Sequence, residues 1–193
     1  MVDAWSNILK IAIQKKGGSY VQYAAYMEDV TIDEGKRGGH GEPGLDGSRA
    51  WIDEPQTDGT VTVVMRPVDT DPTASSGGMF QQNRGGTWDT SDPFQLPTGL
   101  STLQRDEFRV VVLWTTDAAN TEANGSVAAG EAGLRFYADS CRVVDHNVSF
   151  ANKKLIVNVT FKFPPRNISN SWNYDWQSTK TGGTGLSALG DYS

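Results

Sequence analysis

Apolar and polar side chains alternate without a break through residues 155–163. Leu155, Val157, Val159, Phe161 and Phe163 fall on one side of an extended chain, and Ile156, Asn158, Thr160 and Lys162 on the other. A period of two held this long predicts a half-buried strand. Pro164-Pro165 ends it, because proline lacks the ladder donor and fixes φ. Residues 9–14 alternate at Leu9, Ile11 and Ile13, although Trp5, Ile8, Leu9 and Ala12 also fit a helix. The strand is preferred, because Lys15-Lys16-Gly17-Gly18 signals a turn into an aromatic-rich partner at 20–27. The apolar parity then changes from Val21, Tyr23, Ala25 and Met27 to Val30 and Ile32. Such a shift inside a strand predicts a β-bulge at Glu28 or Asp29.

Further strands are expected at 49–56 around Trp51, and at 60–68 with Val61, Val63 and Met65 on one face. Asp58-Gly59 between them is a hairpin-turn signal. Residues 108–114 are apolar on both faces after Arg109, which suits a central strand covered on both sides. Residues 134–144 predict a strand that ends in a connection through Asp145-His146-Asn147. Val148–Phe150 then leads into a turn at Ala151-Asn152-Lys153-Lys154.

Three stretches resist periodic reading. Residues 35–48 hold six glycines and a proline, which excludes regular structure there and predicts a long functional loop. Residues 69–107 carry Asp-Pro, Gly-Gly and Leu-Pro-Thr-Gly punctuation, with room for a short helix near 79–83. Residues 117–130 are a loop of small side chains. Beyond Pro165 a tail carries Trp172, Tyr174 and Trp176, spaced two apart. That face could pack on its own sheet, stack sugars or dock on a neighbouring subunit. The division is a single β domain at 1–165, with 35–48 and 69–107 as long loops, and a C-terminal extension at 166–193. At most one or two short helices are expected.

Composition narrows the function. The chain of 193 residues has a single cysteine, Cys141, so no internal disulfide forms. That excludes a disulfide-stapled secreted fold and favours the cytosol or a particle assembled there. No apolar run is long enough to span a bilayer as a helix, and no secretory signal is expected at the N-terminus. The net charge of −6 disfavours tight, nonspecific nucleic-acid binding, but does not exclude a protein that lets nucleic acid pass without sticking.

No constellation for catalysis emerges. There are two histidines, His40 in the glycine loop and His146 near a strand end. Cys141 and His146 differ by an odd number along a strand and face opposite ways. Zinc needs more Cys or His than the chain has. The acidic pairs, among them Asp33-Glu34, Asp53-Glu54 and Asp106-Glu107, lie at strand ends like solvated turns and match no calcium loop. Lys36 and Arg37 sit among glycines, yet neither phosphate-binding glycine signature is present. The Asn-x-Ser/Thr triplets at Asn124, Asn147, Asn158 and Asn167 lack a secretory context. No catalytic residue, metal or cofactor is expected.

Arg105-Asp106-Glu107-Phe108-Arg109-Val110-Val111-Val112-Leu113-Trp114-Thr115, then Leu134-Arg135-Phe136-Tyr137-Ala138-Asp139, then Phe150 through Pro164, resemble the second half of tail tube proteins of tailed archaeal viruses and bacteriophages. Val30-Thr31-Ile32-Asp33-Glu34-Gly35, the glycine-bearing loop, and residues 60–69 with Arg66-Pro67-Val68 resemble the first half. The resemblance spans roughly 20–165.

It implies a β-sandwich or distorted barrel, six copies of which join their sheets into a ring with a continuous inner β-barrel. Rings stack into a tube that conducts the viral genome. The implied localisation is the virion tail, assembled in host cytoplasm. The implied partners are other copies, tail proteins at the tube ends and passing DNA, with no membrane. Within that frame the ring-stacking loop comprises Gly35, Lys36, Arg37, His40, Glu42, Pro43, Leu45 and Asp46. Trp172, Tyr174 and Trp176 form the assembly tail. Asn158, Thr160 and Lys162 face the lumen or a neighbour. The competing expectation is a carbohydrate-binding β-sandwich module that uses the tryptophan-rich tail.

Overall fold

The computed structural model describes residues 8–18, 20–22, 27–65, 106–151 and 154–193. These form ten strands: β1 (Ile8–Lys15), β2 (Tyr20–Gln22), β3 (Met27–Asp33), β4 (Gly38–Pro43), β5 (Arg49–Glu54), β6 (Gly59–Met65), β7 (Phe108–Thr115), β8 (Gly133–Ala151), β9 (Lys154–Phe163) and β10 (Tyr174–Thr179). The described residues contain no helix. The expected helix near 79–83, and most of the 69–107 loop, lie outside them.

The first hairpin forms as its sequence predicts. β1 pairs antiparallel with β2 and, along its whole length, with β7. Gly17 takes φ +73° in the turn, and the Gly18 amide donates to the Lys15 carbonyl at 2.8 Å. The bulge between β3 and β6 also falls where the parity shift places it, since pairing jumps from Met27 to Asp29.

Two sheets share one long strand. The first runs β2-β1-β7-β8-β10, and the second β8-β9-β6-β3. The first part of β8 pairs with β7 and β10, and residues 142–151 pair with β9. The transfer occurs at Asp139-Ser140, where two residues oppose Arg109 alone. That is a β-bulge, which bends a strand and increases its twist. Ser140 takes φ +56° there. A second register shift leaves Val144 as the extra, exposed residue.

The sheets enclose one core. Ile11, Ile13, Phe108, Val110, Val112 and Phe136 face it from the first sheet; Val61, Val63, Val157, Val159, Phe161 and Phe163 face it from the second. All of these side chains are fully buried. Each contributes about 1.5–3 kcal/mol through removal of apolar surface from water. The alternation from Val157 to Phe163 is therefore the core-facing side of an interior strand, as expected for that pattern.

The outer face of the first sheet carries a second apolar cluster. Ala12, Val111 and Leu113 are covered by Ala123 and Val127 of the 117–130 loop and by Leu186 and Leu189 of the tail. β7 is thus buried on both faces, as its two-sided apolar pattern predicts. Residues 166–193, expected as an extension, supply both β10 and part of this cover.

Three expectations are corrected. Asp145-His146-Asn147 is no connection: β8 runs straight through it. Asp145 and Asn147 occupy the polar outer face opposite Thr160 and Asn158, and the bulge at Val144 resets the parity. Asp58-Gly59 is no hairpin turn. Gly59 opens β6 and pairs with Phe163, whose ring fills the place of the missing Cβ. Residues 35–48 are not wholly irregular, because β4 pairs with β5 over Gly38↔Glu54 to Pro43↔Arg49. Backbone ladder bonds need no side chains, so glycines with an adjacent partner strand can still form one.

Candidate assembly surface

The outer face of the second sheet is left bare by every described segment. Opposite residues of antiparallel strands share a face. The pairing thus gathers Arg142, Lys162 and Thr60 in one row, Asp145, Thr160, Thr62 and Thr31 in the next, and Asn147, Asn158, Val64 and Asp29 beyond. Thr62 Oγ1 and Thr160 Oγ1 lie 3.2 Å apart. Lys162 Nζ pairs with Asp58 at 3.2 Å, so its charge is offset locally. Asn158, Thr160 and Lys162 are therefore brought together on one polar sheet face. Threonine suits such a face because its β-branch packs on the pleat while its hydroxyl remains hydrated.

Two strands end this sheet. β3 and residues 142–151 of β8 each have one side with no partner strand among the described residues. Unpaired strand edges are templates for pairing with another chain.

The β4–β5 hairpin stands apart as a two-stranded ribbon. Its root is fixed by the Thr57 amide donating to the Lys36 carbonyl at 3.0 Å and the Lys36 amide donating to Thr57 Oγ1 at 2.8 Å. Gly35 enters at φ +82°, and a Cβ there would lie 2.1 Å from the Thr57 carbonyl oxygen. One ribbon face carries His40, with ring nitrogens 3.2 Å from Glu42 and from Glu54. The other carries Trp51 over Gly39, with the indole N–H donating to Asp53 at 2.8 Å. Trp51 remains 69% exposed and Leu45, at the tip, is fully exposed. The Asp46 carboxylate is held below its usual range by the Ser48 hydroxyl, then by backbone amides. Pro43 closes the β4 side of the ladder opposite Arg49.

The tail aromatics have separate fates. Tyr174 is buried against Phe136 and Phe163. Trp176 stacks on Trp114 and donates its indole N–H to Glu34 at 2.6 Å. Trp172 is 47% exposed, with the Arg166 guanidinium 3.8 Å from its ring centre. Trp172 and Trp176 are both partly exposed while Tyr174 between them is buried, so the three do not form one continuous open platform.

Sequence patterning does not disclose two arginines that tie the tail down. Arg135 is fully buried and donates to Gln177 Oε1 at 2.9 Å and to the carbonyls of Gly125 and Ser187. Burial lowers its proton affinity. Arg109 forms a two-pronged pair with Asp139 at 2.5 and 2.9 Å and donates to the Gly190 carbonyl at 2.7 Å. Burial opposes its charge, but Asp139 and Tyr20 outweigh it, and its proton is held more tightly than usual. Tyr192 lies between Arg109 and the bulge, its hydroxyl accepting from the Ser140 amide at 3.1 Å. The signal available was charge inside apolar strands, at Arg109 and Arg135.

No catalytic arrangement appears among the described residues. Among the described residues no group of three or more His, Cys, Asp or Glu side chains is placed to hold a metal. Cys141 lies in the core, where burial pushes its thiol pKa upward and keeps it protonated.

No protein-family model matches the chain, and no curated protein matches it in sequence. Among solved structures it is similar to a chain of the extracellular contractile injection system PVC sheath-tube complex in its extended state, at 10% identity over 88% of both chains and a TM-score of 0.49. It is also similar to a chain of the anti-feeding prophage baseplate, at 11% identity over 93% of this chain and 97% of the other, TM-score 0.48. An Hcp protein crystal structure is similar at 10% identity, over 93% of this chain and 97% of the other, TM-score 0.40.

Proposed function

We propose that this chain is a structural, non-enzymatic tube subunit of a tail-like particle. The observation that carries the reading is the contrast between the two sheets. The first is sealed on its outer face by the chain's own loop and tail. The second presents a hydrated Thr/Asn face bounded by two strand edges without described partners. In the tube, edges of neighbouring copies pair and close a ring, which removes the edges. Six copies form each ring, and the faces bearing Asn158, Thr160 and Lys162 line its lumen. Rings stack through the 35–54 region, with other tail proteins at the ends.

The cargo of this proposed tube is a viral genome leaving an archaeal virus or phage particle assembled in host cytoplasm. A subunit with net charge −6 does not retain a phosphate backbone, because it offers little counterion release. The threonine and asparagine rows of the lumen face are interrupted by charges of both signs, Arg142 and Lys162 against Asp145 and Asp29, so the face forms no basic track along a phosphate backbone.

Electron microscopy and sedimentation of the purified chain test this reading. Rings of constant diameter, stacking into tubes as concentration rises, are the expected result. A monomer that persists at high concentration, without rings, would sink it. Deleting residues 38–54 is expected to leave rings but shorten tubes severely, because the ribbon lies outside the core. Tubes of normal length from that variant would remove the ribbon from the stacking contact.

A further inference from the structure

The ribbon has chemically distinct ends. At its root, Arg37, Asp53, Glu54, Gln56, Arg166 and Trp172 line a cleft of about 360 Å³. Both guanidinium groups lie against the Trp172 ring, at 5.6 Å for Arg37 and 3.8 Å for Arg166. Neither has a carboxylate ion-pair partner among the described residues. The two acids are already engaged: Asp53 accepts from Trp51, and Glu54 lies against His40. The cleft therefore offers two cations and half of an indole beside two hydrogen-bonded carboxylates, and the Arg166 guanidinium, whose Nη1 donates to the Asn170 carbonyl at 2.7 Å, keeps its other N–H groups for an incoming acceptor.

At its tip, the turn 44–48 presents an apolar side chain beside an anion. The turn is closed by its own hydrogen bonds: the Gly44 amide donates to the Ser48 carbonyl at 2.7 Å, and the Ser48 amide donates to Asp46 Oδ1 at 3.0 Å. Gly47 supplies φ +81°. Leu45 has nothing against it, and Asp46 Oδ2 has no hydrogen-bond partner among the described residues. The ribbon's six paired positions separate tip from root by roughly 20 Å of strand. A tip cannot reach its own root.

We infer that the Leu45-Asp46 tip of one copy seats in the Arg37–Arg166–Trp172 cleft of a second copy. Leu45 covers the exposed indole, and the Asp46 carboxylate accepts from the two guanidinium groups, which are suited to forked recognition of carboxylates. Different surfaces meet on the two copies, so the contact is heterologous and repeats without self-closure within a pair. The inference rests on the tube reading, to which it adds the receptor for the ribbon.

Paired cysteines test it. The native Cys141 is buried and does not compete for oxidation. In Leu45→Cys/Asp53→Cys, the new thiols lie on one chain at least about 14 Å apart along β5, beyond the reach of a disulfide. Oxidation of assembled double variant is expected to give a ladder of covalently linked chains on a denaturing gel, with neither single variant giving one. Asp46→Arg should abolish stacking of rings, and Asp46→Arg with Arg37→Asp and Arg166→Asp should restore it.

Tubes visible by microscopy with no ladder would overturn the tip-to-root contact and leave the tube reading standing. Covalent dimers from Leu45→Cys alone would place tip on tip and also overturn it. A ladder from protein that forms no rings would support the contact and sink the tube.

Discussion

Deleting residues 184–193 should cost the protein much of its stability and drive it into aggregates. The deleted segment is nominally a tail, but Leu186 and Leu189 pack over Ala12, Val111 and Leu113, and Tyr192 is buried. Full burial of three such side chains would be worth about 4.5–9 kcal/mol at 1.5–3 kcal/mol each, and because both leucines are only partly buried the loss falls toward the lower end. That is comparable with the whole stability of a typical domain. The deletion also strips carbonyl acceptors from two cations, since Gly190 serves Arg109 and Ser187 serves Arg135. It leaves Gln14 Oε1 without the Tyr192 amide, which donates at 2.8 Å. Chemical denaturation of the truncated chain should show a lowered midpoint or no cooperative transition. Tyr192→Phe, which keeps the ring but removes the hydroxyl that accepts from the Ser140 amide and donates to Glu107 Oε2, should cost about 1 kcal/mol or somewhat more. A truncated chain that melts like the full one would show that the tail lies on the sheet without stabilising it.

Gly35→Ala should disable the ribbon with less damage to the core. Two terms add. The left-handed backbone at φ +82° costs an L-residue roughly 1–2 kcal/mol. The new Cβ would also lie 2.1 Å from the Thr57 carbonyl oxygen, a backbone atom that moves only if the ribbon root moves. Overpacking of that kind costs about 1–3 kcal/mol. The comparison is Gly47→Ala at the tip, also left-handed at φ +81°, where nothing lies within 4 Å of the added methyl. It should bear the backbone cost alone. Denaturation midpoints therefore rank wild type, then Gly47→Ala, then Gly35→Ala, and only Gly35→Ala displaces the ribbon root. Equal midpoints for the two variants would show that Thr57 does not close against Gly35.

Some of this architecture was legible because its cause is local. The alternation of 155–163 and the two-sided apolar run at 108–114 each report burial directly, and both strands occupy the predicted faces. The bulge near Glu28 was legible for the same reason, since an extra residue shifts parity. The strand through Asp145-His146-Asn147 was not, because Asp145 and Asn147 are polar residues on the outer face next to a bulge. Those residues satisfy a pairing rule that only the partner strand reveals. The strand around Trp51 was foreseen, but β4 and its pairing with it were hidden for a related reason: the ladder is backbone to backbone, and the glycine-rich strand carries no apolar stripe. Of the candidate surface, the polar side of β9 could be foreseen, whereas Thr62, Thr31 and Asp145 joined it only through register.

By itself the sequence determined an all-β chain with a strand of one apolar side at 155–163, no disulfide and no catalytic triad in view. Those properties follow from composition and from a side-chain period of two, which each segment carries alone. Tertiary structure decided which outer face would be sealed and which would stay bare. It did so through distant contacts: Arg135 with Gln177 and Ser187, Arg109 with Asp139 and Gly190, and Val127 with Leu186. Each joins residues far apart in the chain, so no local pattern encodes it. The buried guanidinium groups need several acceptors at once, and only the closing tail and loop bring them together.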